Sequence, residues 1–321
     1  MNIKSLLIGS AAATVAATGA QAADCVCDVY GAGFFYIPGT ETCLKIGGYV
    51  RYEIGFDEDD DGWRKLARGT LTVDARSETE YGTLGGFIEL RGDVKSGHVG
   101  APDSDNWIRV QQAIISLGGF SMGLSDTLYD AGLSGEFDGG GGDRAHFMRY
   151  TFDAANGVFV TIALEEADYN VDYTPNVVGN VGIAQGWGSL NVWGAYDATA
   201  EEWAAKAIAK IKATEQLTVE LLATYESDNS FYSVTKDGNG GYEWTAGGYL
   251  KYAATPKLSV GFGGQYFASE HITGDDNYAL GGVIDYALVE NFNTKLAVNY
   301  FDGDSYEDGH FGGFLRFDRN F

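Results

Sequence analysis

The closing segment, Gly309 to Phe321, constrains this chain more than any other stretch. Phe311, Leu315, Phe317 and Phe321 share one parity, with Gly313 in step and Arg319 the exception. His310, Gly312, Arg316, Asp318 and Asn320 share the other, with Phe314 the exception. A period of two means a strand with one greasy face and one wet face. The segment also stops on an aromatic residue in phase with the greasy face. A soluble domain has little use for that, whereas an outer-membrane β-barrel does. Its last strand pairs back to the first, and a terminal Phe is the usual insertion signal of such barrels. The expected fold is all-β: a transmembrane antiparallel barrel of about 16 strands, a size that encloses a water-filled channel.

Composition agrees. Among 321 residues there are 46 Gly, 20 Tyr and 18 Phe, but only 4 Pro and 3 Met. Many glycines and aromatics point to many short strands. Mean hydropathy is slightly negative, −0.14. A helical membrane protein would be far more apolar, but a barrel exposes only alternate residues to lipid. The formal net charge of −24 argues against nucleic acid as a partner, which needs a basic face. It fits acidic surface loops and a lumen that favours cations, and equally the solubility of an acidic exported protein.

Residues 1–22 read as a secretory signal peptide: Lys4, a mostly apolar run from Leu6 to Ala17, then Ala20-Gln21-Ala22 as an A-x-A cleavage site. No later stretch has the roughly 18 apolar residues of a transmembrane helix. Residues 23–43 form a leader segment and 44–321 the barrel. Export brings Cys25, Cys27 and Cys43 into an oxidising compartment. Cys27–Cys43 would pin the leader to the first strand; Cys25–Cys43 is the competing pairing. Either leaves one thiol over.

Alternating segments recur along the whole chain. The first puts Leu44, Ile46, Val50, Tyr52 and Ile54 opposite Lys45, Tyr49, Arg51 and Glu53. The second sets Ala67, Leu71, Val73 and Ala75 against Arg68, Thr70, Thr72, Asp74 and Arg76. The third sets Leu84, Ile88 and Leu90 against Glu89, Arg91, Asp93 and Lys95, with Phe87 out of step. The fourth, Trp107 to Leu117, has an ambiguous phase because Gln111-Gln112 fits neither face. A short fifth puts Phe120, Met122 and Leu124 outward. Later segments fall near 145–153, 157–166, 177–185, 188–197, 203–213, 217–226, 242–253, 257–267, 277–287 and 292–301. The Ala-rich stretch Glu201 to Lys212 has helix propensity. It reads as a strand because Lys206, Lys210 and Lys212 share one parity, with only Ile208 intruding. Tight links alternate with longer polar ones, as in outer-membrane barrels.

Loop 126–143 is the central functional candidate. It mixes Asp126, Asp130, Glu136 and Asp138 with Leu128, Tyr129, Leu133 and Phe137, and ends in the glycine run 139–142. A loop folded into a barrel needs apolar anchors for the wall, acids for the water and glycines for a sharp return. The same composition also suits a flexible surface loop. On the predicted lumen face lie Lys45, Arg51, Arg68, Arg76, Arg91 and Lys95, since charges on the lipid face cost a few kcal/mol near the midplane. If the loop acids face these bases, a transverse field screens solutes by charge and size. Intramolecular salt bridging is the alternative, and both can hold together. Asp57 to Asp61 is a solvated acidic run without the spacing of an EF-hand. His98, His146, His271 and His310 are scattered, and no hydrolase, metalloprotease or phosphate-loop motif appears. No enzyme activity, metal or cofactor is expected.

The run from Cys27-Asp28-Val29-Tyr30-Gly31 to Gly47-Gly48-Tyr49-Val50-Arg51-Tyr52 resembles the start of the alphaproteobacterial general porins. The signal Met1-Asn2-Ile3-Lys4-Ser5-Leu6-Leu7, the segment Ser77 to Gly85, Gly186-Trp187-Gly188-Ser189 and the closing Phe317-Asp318-Arg319-Asn320-Phe321 are similar to theirs as well. The resemblance implies a 16-stranded barrel in the outer membrane of a Gram-negative bacterium, usually a homotrimer, contacting lipid and lipopolysaccharide. It also implies a third long loop folded inside as the constriction, which maps to 126–143. Gly135-Glu136-Phe137-Asp138-Gly139-Gly140 is loosely similar to a motif of porin constriction loops, but lacks its Pro and carries Asp138. Cys25 departs from the family pattern. The implied function is passive diffusion of small hydrophilic solutes and ions. An outer-membrane barrel enzyme and a closed structural or adhesion barrel are the alternatives.

Overall fold

The computed structural model describes residues 27–58, 62–96, 107–167, 173–235 and 240–321. The strands are β1 (Phe35–Tyr36), β2 (Cys43–Asp57), β3 (Arg64–Thr79), β4 (Gly82–Ser96), β5 (Trp107–Leu117) and β6 (Phe120–Asp126). Next come β7 (Arg144–Asp153), β8 (Val158–Glu166), β9 (Asn176–Gln185), β10 (Gly188–Asp197), β11 (Glu202–Lys212) and β12 (Leu217–Glu226). The last are β13 (Tyr242–Ala253), β14 (Leu258–Glu270), β15 (Asn277–Val289), β16 (Phe292–Gly303) and β17 (His310–Asn320). Strands β2 to β17 pair antiparallel with their sequence neighbours, and β17 pairs with β2 through Leu315↔Ile54, Arg316↔Glu53 and Phe317↔Tyr52. The result is a closed barrel of sixteen strands. Closure removes both sheet edges, so no row of unpaired amides faces lipid.

The closing strand ends at a fitted junction. Phe321 donates its amide to the Gly48 carbonyl (3.0 Å), and the Gly48 amide returns the bond (3.1 Å). Gly48 has φ +151°, and a Cβ there would collide with the Thr70 carbonyl and press on the Phe321 ring. Only glycine lets β2 bend past this contact. The two exceptions to the parity of β17 also have reasons. Phe314 faces the lumen beneath the Arg316 guanidinium, 4.0 Å from its ring centroid. Arg319 sits at the end of the strand and donates to main-chain carbonyls there.

The outward faces are apolar around the barrel: Val50 and Tyr52 on β2, Leu71 on β3, Val160 and Ile162 on β8, Leu221 on β12, Phe262 on β14 and Leu296 on β16 are all exposed. In β5 the pairing slips between Glu89↔Gln112 and Leu90↔Val110, a bulge that accommodates Gln111. The bulge explains the ambiguous phase. Ile108 and Val110 face out before it, and Ile115 and Leu117 after it. Strand β6 pairs with β5 only from Ala113 onward. Arg144 donates to the carbonyls of Val110 and Gln111 (3.1 Å each), bridging from β7 past the end of that pairing.

Strand β11 confirms the lysine parity over helix propensity, because its ladders to β10 and β12 occupy nearly every residue. Ahead of the barrel, Cys27 and Cys43 form a disulfide. A 3-10 turn (Asp28–Tyr30) and β1, paired to the start of β2, lie within this bridge. Cys25 and the signal stretch lie outside the described residues.

Candidate functional site: a loop folded into the barrel

After Asp126 the chain leaves the wall and crosses the inside of the barrel until Arg144. Its partners are side chains on the lumen parity of strands far around the circumference. The Leu128 amide donates to Glu165 of β8 (2.8 Å), which also accepts the Thr127 hydroxyl. Lys206 of β11 donates to the carbonyls of Tyr129, Ala131 (2.9 Å) and Gly140 (2.6 Å). Ser134 donates its amide (2.8 Å) and hydroxyl (2.6 Å) to Glu220 of β12. Gln265 of β14 both accepts from the Gly139 amide (2.9 Å) and donates to its carbonyl (3.0 Å). Asn299 of β16 donates to the Glu136 carbonyl (3.0 Å).

These partners satisfy main-chain groups that would otherwise be buried without water, a cost of ~1–3 kcal/mol each. Lys206, only 2% exposed, also lies 4.0 Å from the Tyr129 ring centroid. Its Nζ is thus surrounded by three carbonyl dipoles and an aromatic face.

Apolar anchors complete the attachment. Tyr129 and Phe137 are fully buried and Leu133 nearly so, in a cluster with Trp193, Ile208, Leu222, Tyr249 and Phe267 from the wall. This core lies inside the barrel, between loop and wall. It gives Ile208, the intruder among the lysines of β11, its place. The Phe137 ring rests on Gly263 and Gly281, where added Cβ atoms would sit 2.9 and 2.6 Å from ring carbons. Two lumen-facing glycines on β14 and β15 therefore make the slot that accepts it.

The loop acids have different surroundings. Asp126 ends β6, and its carbonyl accepts a long bond from Arg149 (3.4 Å). Asp130 is exposed to the lumen. Desolvation within the barrel, with Asp126 and Asp143 nearby, pushes its carboxyl up from the usual range. Glu136 is salt-bridged to Lys295 of β16 (2.7 Å) and Arg316 of β17 (3.3 Å). Asp138 accepts the Leu133 amide (2.6 Å) and ties the loop to itself.

The bases singled out from the sequence fall into two groups. Lys45 and Arg76 lie under the leader, 5.8 and 5.0 Å from the Phe34 ring centroid. Arg51, Arg68 and Arg91 pair along the wall: Arg51 with Asp318 (2.7 Å), Arg68 with Asp93 (2.7 Å) and Arg91 with Glu89 (3.0 Å). Lys95 is partly exposed near the long-loop end of β4. Of the acidic run, Asp57 lies 3.6 Å from Arg64 and Glu58 accepts the Phe311 amide (3.0 Å); Asp59 to Asp61 lie outside the described residues.

Several residues escaped the sequence reading. Glu165, Glu220, Gln265 and Lys295 were single polar residues on lumen faces, with nothing local to mark what they would hold, and Arg316 was placed on the wet face of the closing strand without a partner to mark its role. Arg109 was hidden by the bulge. It lies directly across from Arg91 in the β4–β5 ladder and over the Trp107 ring at 4.3 Å.

Comparison with known proteins agrees with this architecture. The family model of the porin subfamily matches residues 19–316. Porin Omp2b of Brucella abortus (strain 2308) is 37% identical over 375 aligned positions that cover all of both chains. Porin Omp2b of Brucella suis is similar at the same identity and coverage. The alignment is longer than this chain, so those relatives carry insertions that it lacks. Among solved structures, a multiple mutant of the Rh. blastica porin superposes with a TM-score of 0.61 at 16% identity, over 87% of this chain and all of that one. A loop-deletion mutant of Vibrio cholerae OmpT, an outer membrane protein, gives 0.62 at 16% identity over the same shares. The apolar outer band, the closed sixteen-strand wall and these matches together show that the chain belongs to the porin subfamily, as an outer-membrane β-barrel channel.

Proposed function

We propose that loop 126–143 is the constriction of a passive, water-filled pore for small hydrophilic solutes and ions. The observation that carries this reading is the span of the loop's attachment, from Glu165 on β8 to Arg316 on β17. A segment held across so much of the wall narrows the lumen to the side it leaves bare. Arg51, Arg68, Arg91 and Arg109 line the wall on that side, and Asp130 is the exposed acid of the loop. The field between them sorts solutes by charge, and the acid excess of the chain favours cations. The pore performs no chemistry and couples to no energy source. Residues 1–22 act as its export signal and 23–43 as its leader. Three copies assemble in lipid and lipopolysaccharide, as is usual in the family.

The test is single-channel conductance of the refolded mature chain in a planar bilayer, with the reversal potential read under a salt gradient. Steady ohmic steps and a cation-directed reversal potential are expected. Arg68→Glu and Arg91→Glu shift that potential further toward cations. Asp130→Trp, placed at the opening, lowers the conductance. A folded, heat-modifiable barrel that conducts nothing overturns the pore reading. Unchanged conductance in Asp130→Trp removes the loop from the narrowest part.

A further inference from the structure

A second loop also enters the barrel. Residues 227–235, between β12 and β13, form a tight turn in which the Ser233 amide donates to the Ser230 carbonyl (3.2 Å) and the Ser230 amide to the Ser233 hydroxyl (2.9 Å). Two buried acids at lumen-facing strand ends draw this turn inward. Asp197 accepts the Phe231 amide (2.8 Å), and Glu226 accepts the Val234 amide (2.6 Å). Tyr232 and Val234 are consequently fully buried.

What they are buried against is loop 126–143. The Tyr232 ring meets the Tyr129 ring edge-on, with centroids 5.4 Å apart. Its hydroxyl reaches Glu165 (3.4 Å), the same carboxylate that holds Thr127 and Leu128. On the returning limb a Cβ at Gly139 would sit 2.9 Å from a Val234 methyl. A Cβ at Gly141, which has φ +76°, would run into the Tyr232 carbonyl. The glycine run thus serves more than a sharp return: it is the bed on which the second loop lies. Lys206 holds loop 126–143 from the wall, and Tyr232 and Val234 pack against it as well.

We propose that residues 227–235 are a latch for the pore loop, a positioning element that keeps it seated and so sets how steadily the channel stays open. This rests on loop 126–143 being the constriction. The latch makes no contact of its own with solute; it acts by removing the alternative positions of Tyr129 and the glycine limb. Losing it should leave the mean open conductance near its original value and change the stability of the open level instead.

The experiment compares single-channel recordings of Tyr232→Ala and Tyr232→Phe with the parent. Tyr232→Ala is expected to raise the frequency of brief closures several-fold and to lower the voltage at which the channel closes. Tyr232→Phe keeps the ring against Tyr129 and should restore steady current. A second variant, Gly139→Cys with Val234→Cys in a Cys25→Ser background, ties the two loops by oxidation. It is expected to raise the closing voltage relative to each single cysteine under the same oxidant, and it decides the question alone if Tyr232→Ala does not fold. Steady current in Tyr232→Ala, or an unchanged closing voltage in the cross-linked channel, overturns the latch. If Asp130→Trp lowers conductance in the same series while the latch variants are silent, the constriction stands and only the latch fails. If Asp130→Trp is silent too, the constriction reading has failed.

Discussion

The inner wall has two regions that use their polar residues in opposite ways. Behind loop 126–143, Glu165, Lys206, Glu220 and Gln265 are 1–3% exposed, and each bonds to at least one backbone amide or carbonyl of the loop. Across the lumen, Arg51, Arg68 and Arg91 keep 17–19% of their side chains open and bond to other side chains. A backbone partner is fixed in place by the chain, so the first region determines geometry. A side-chain partner can turn away, and a passing ion competes for it, so under the proposed function the second region acts through its charge. On the proposed function, position and selectivity would be separated onto opposite walls of one barrel.

The largest effect should come from Lys206→Met. It leaves three carbonyls without a donor, at roughly 1–3 kcal/mol for each that water cannot reach. Loosening of the loop should appear as altered conductance and new protease cuts within 126–143, while the arginine wall stays intact. If conductance and cleavage are both unchanged, the two walls are not divided as described. Phe137→Ala is next. Emptying an aromatic slot of this kind costs about 3–5 kcal/mol in a closed core, and an opening onto lumen water reduces that. Gly281→Leu should act in the same direction by filling the slot, and a lowered thermal transition in both variants would locate the anchor there. A third, smaller effect sharpens the electrostatic side. Asp130 titrates above the ordinary aspartate range, so its negative charge is full above that raised value and is lost as pH falls through it. Cation preference should therefore weaken on acidification at a higher pH than a free aspartate would cause, and Asp130→Asn should remove that part of the dependence. Reversal potentials over a pH series read it directly.

Much of this was legible because a barrel writes itself into local pattern. All sixteen wall strands lie where alternation put them, and the ambiguous phase at Gln111-Gln112 marked a real bulge. The anchors Tyr129, Leu133 and Phe137 stood out as apolar residues in a polar loop. The ambiguity between a surface loop and an inward one remained, because a loop's composition does not say which wall it will meet.

What the sequence determined by itself was therefore the periodic part: strand positions, lipid face, lumen face and the closing Phe321. Period-two alternation is a local property, and lipid and water read it residue by residue. Pairing at long separation came from the folded barrel alone. Glu136 bonds to Lys295 and Arg316, Phe137 lies on Gly263 and Gly281, and Gly139 and Gly141 yield to Val234 and Tyr232. Such partners are brought together by barrel closure and by the inward turn of two loops. Their fit is a matter of shape and unsatisfied hydrogen bonds in one enclosed space, which no local pattern encodes.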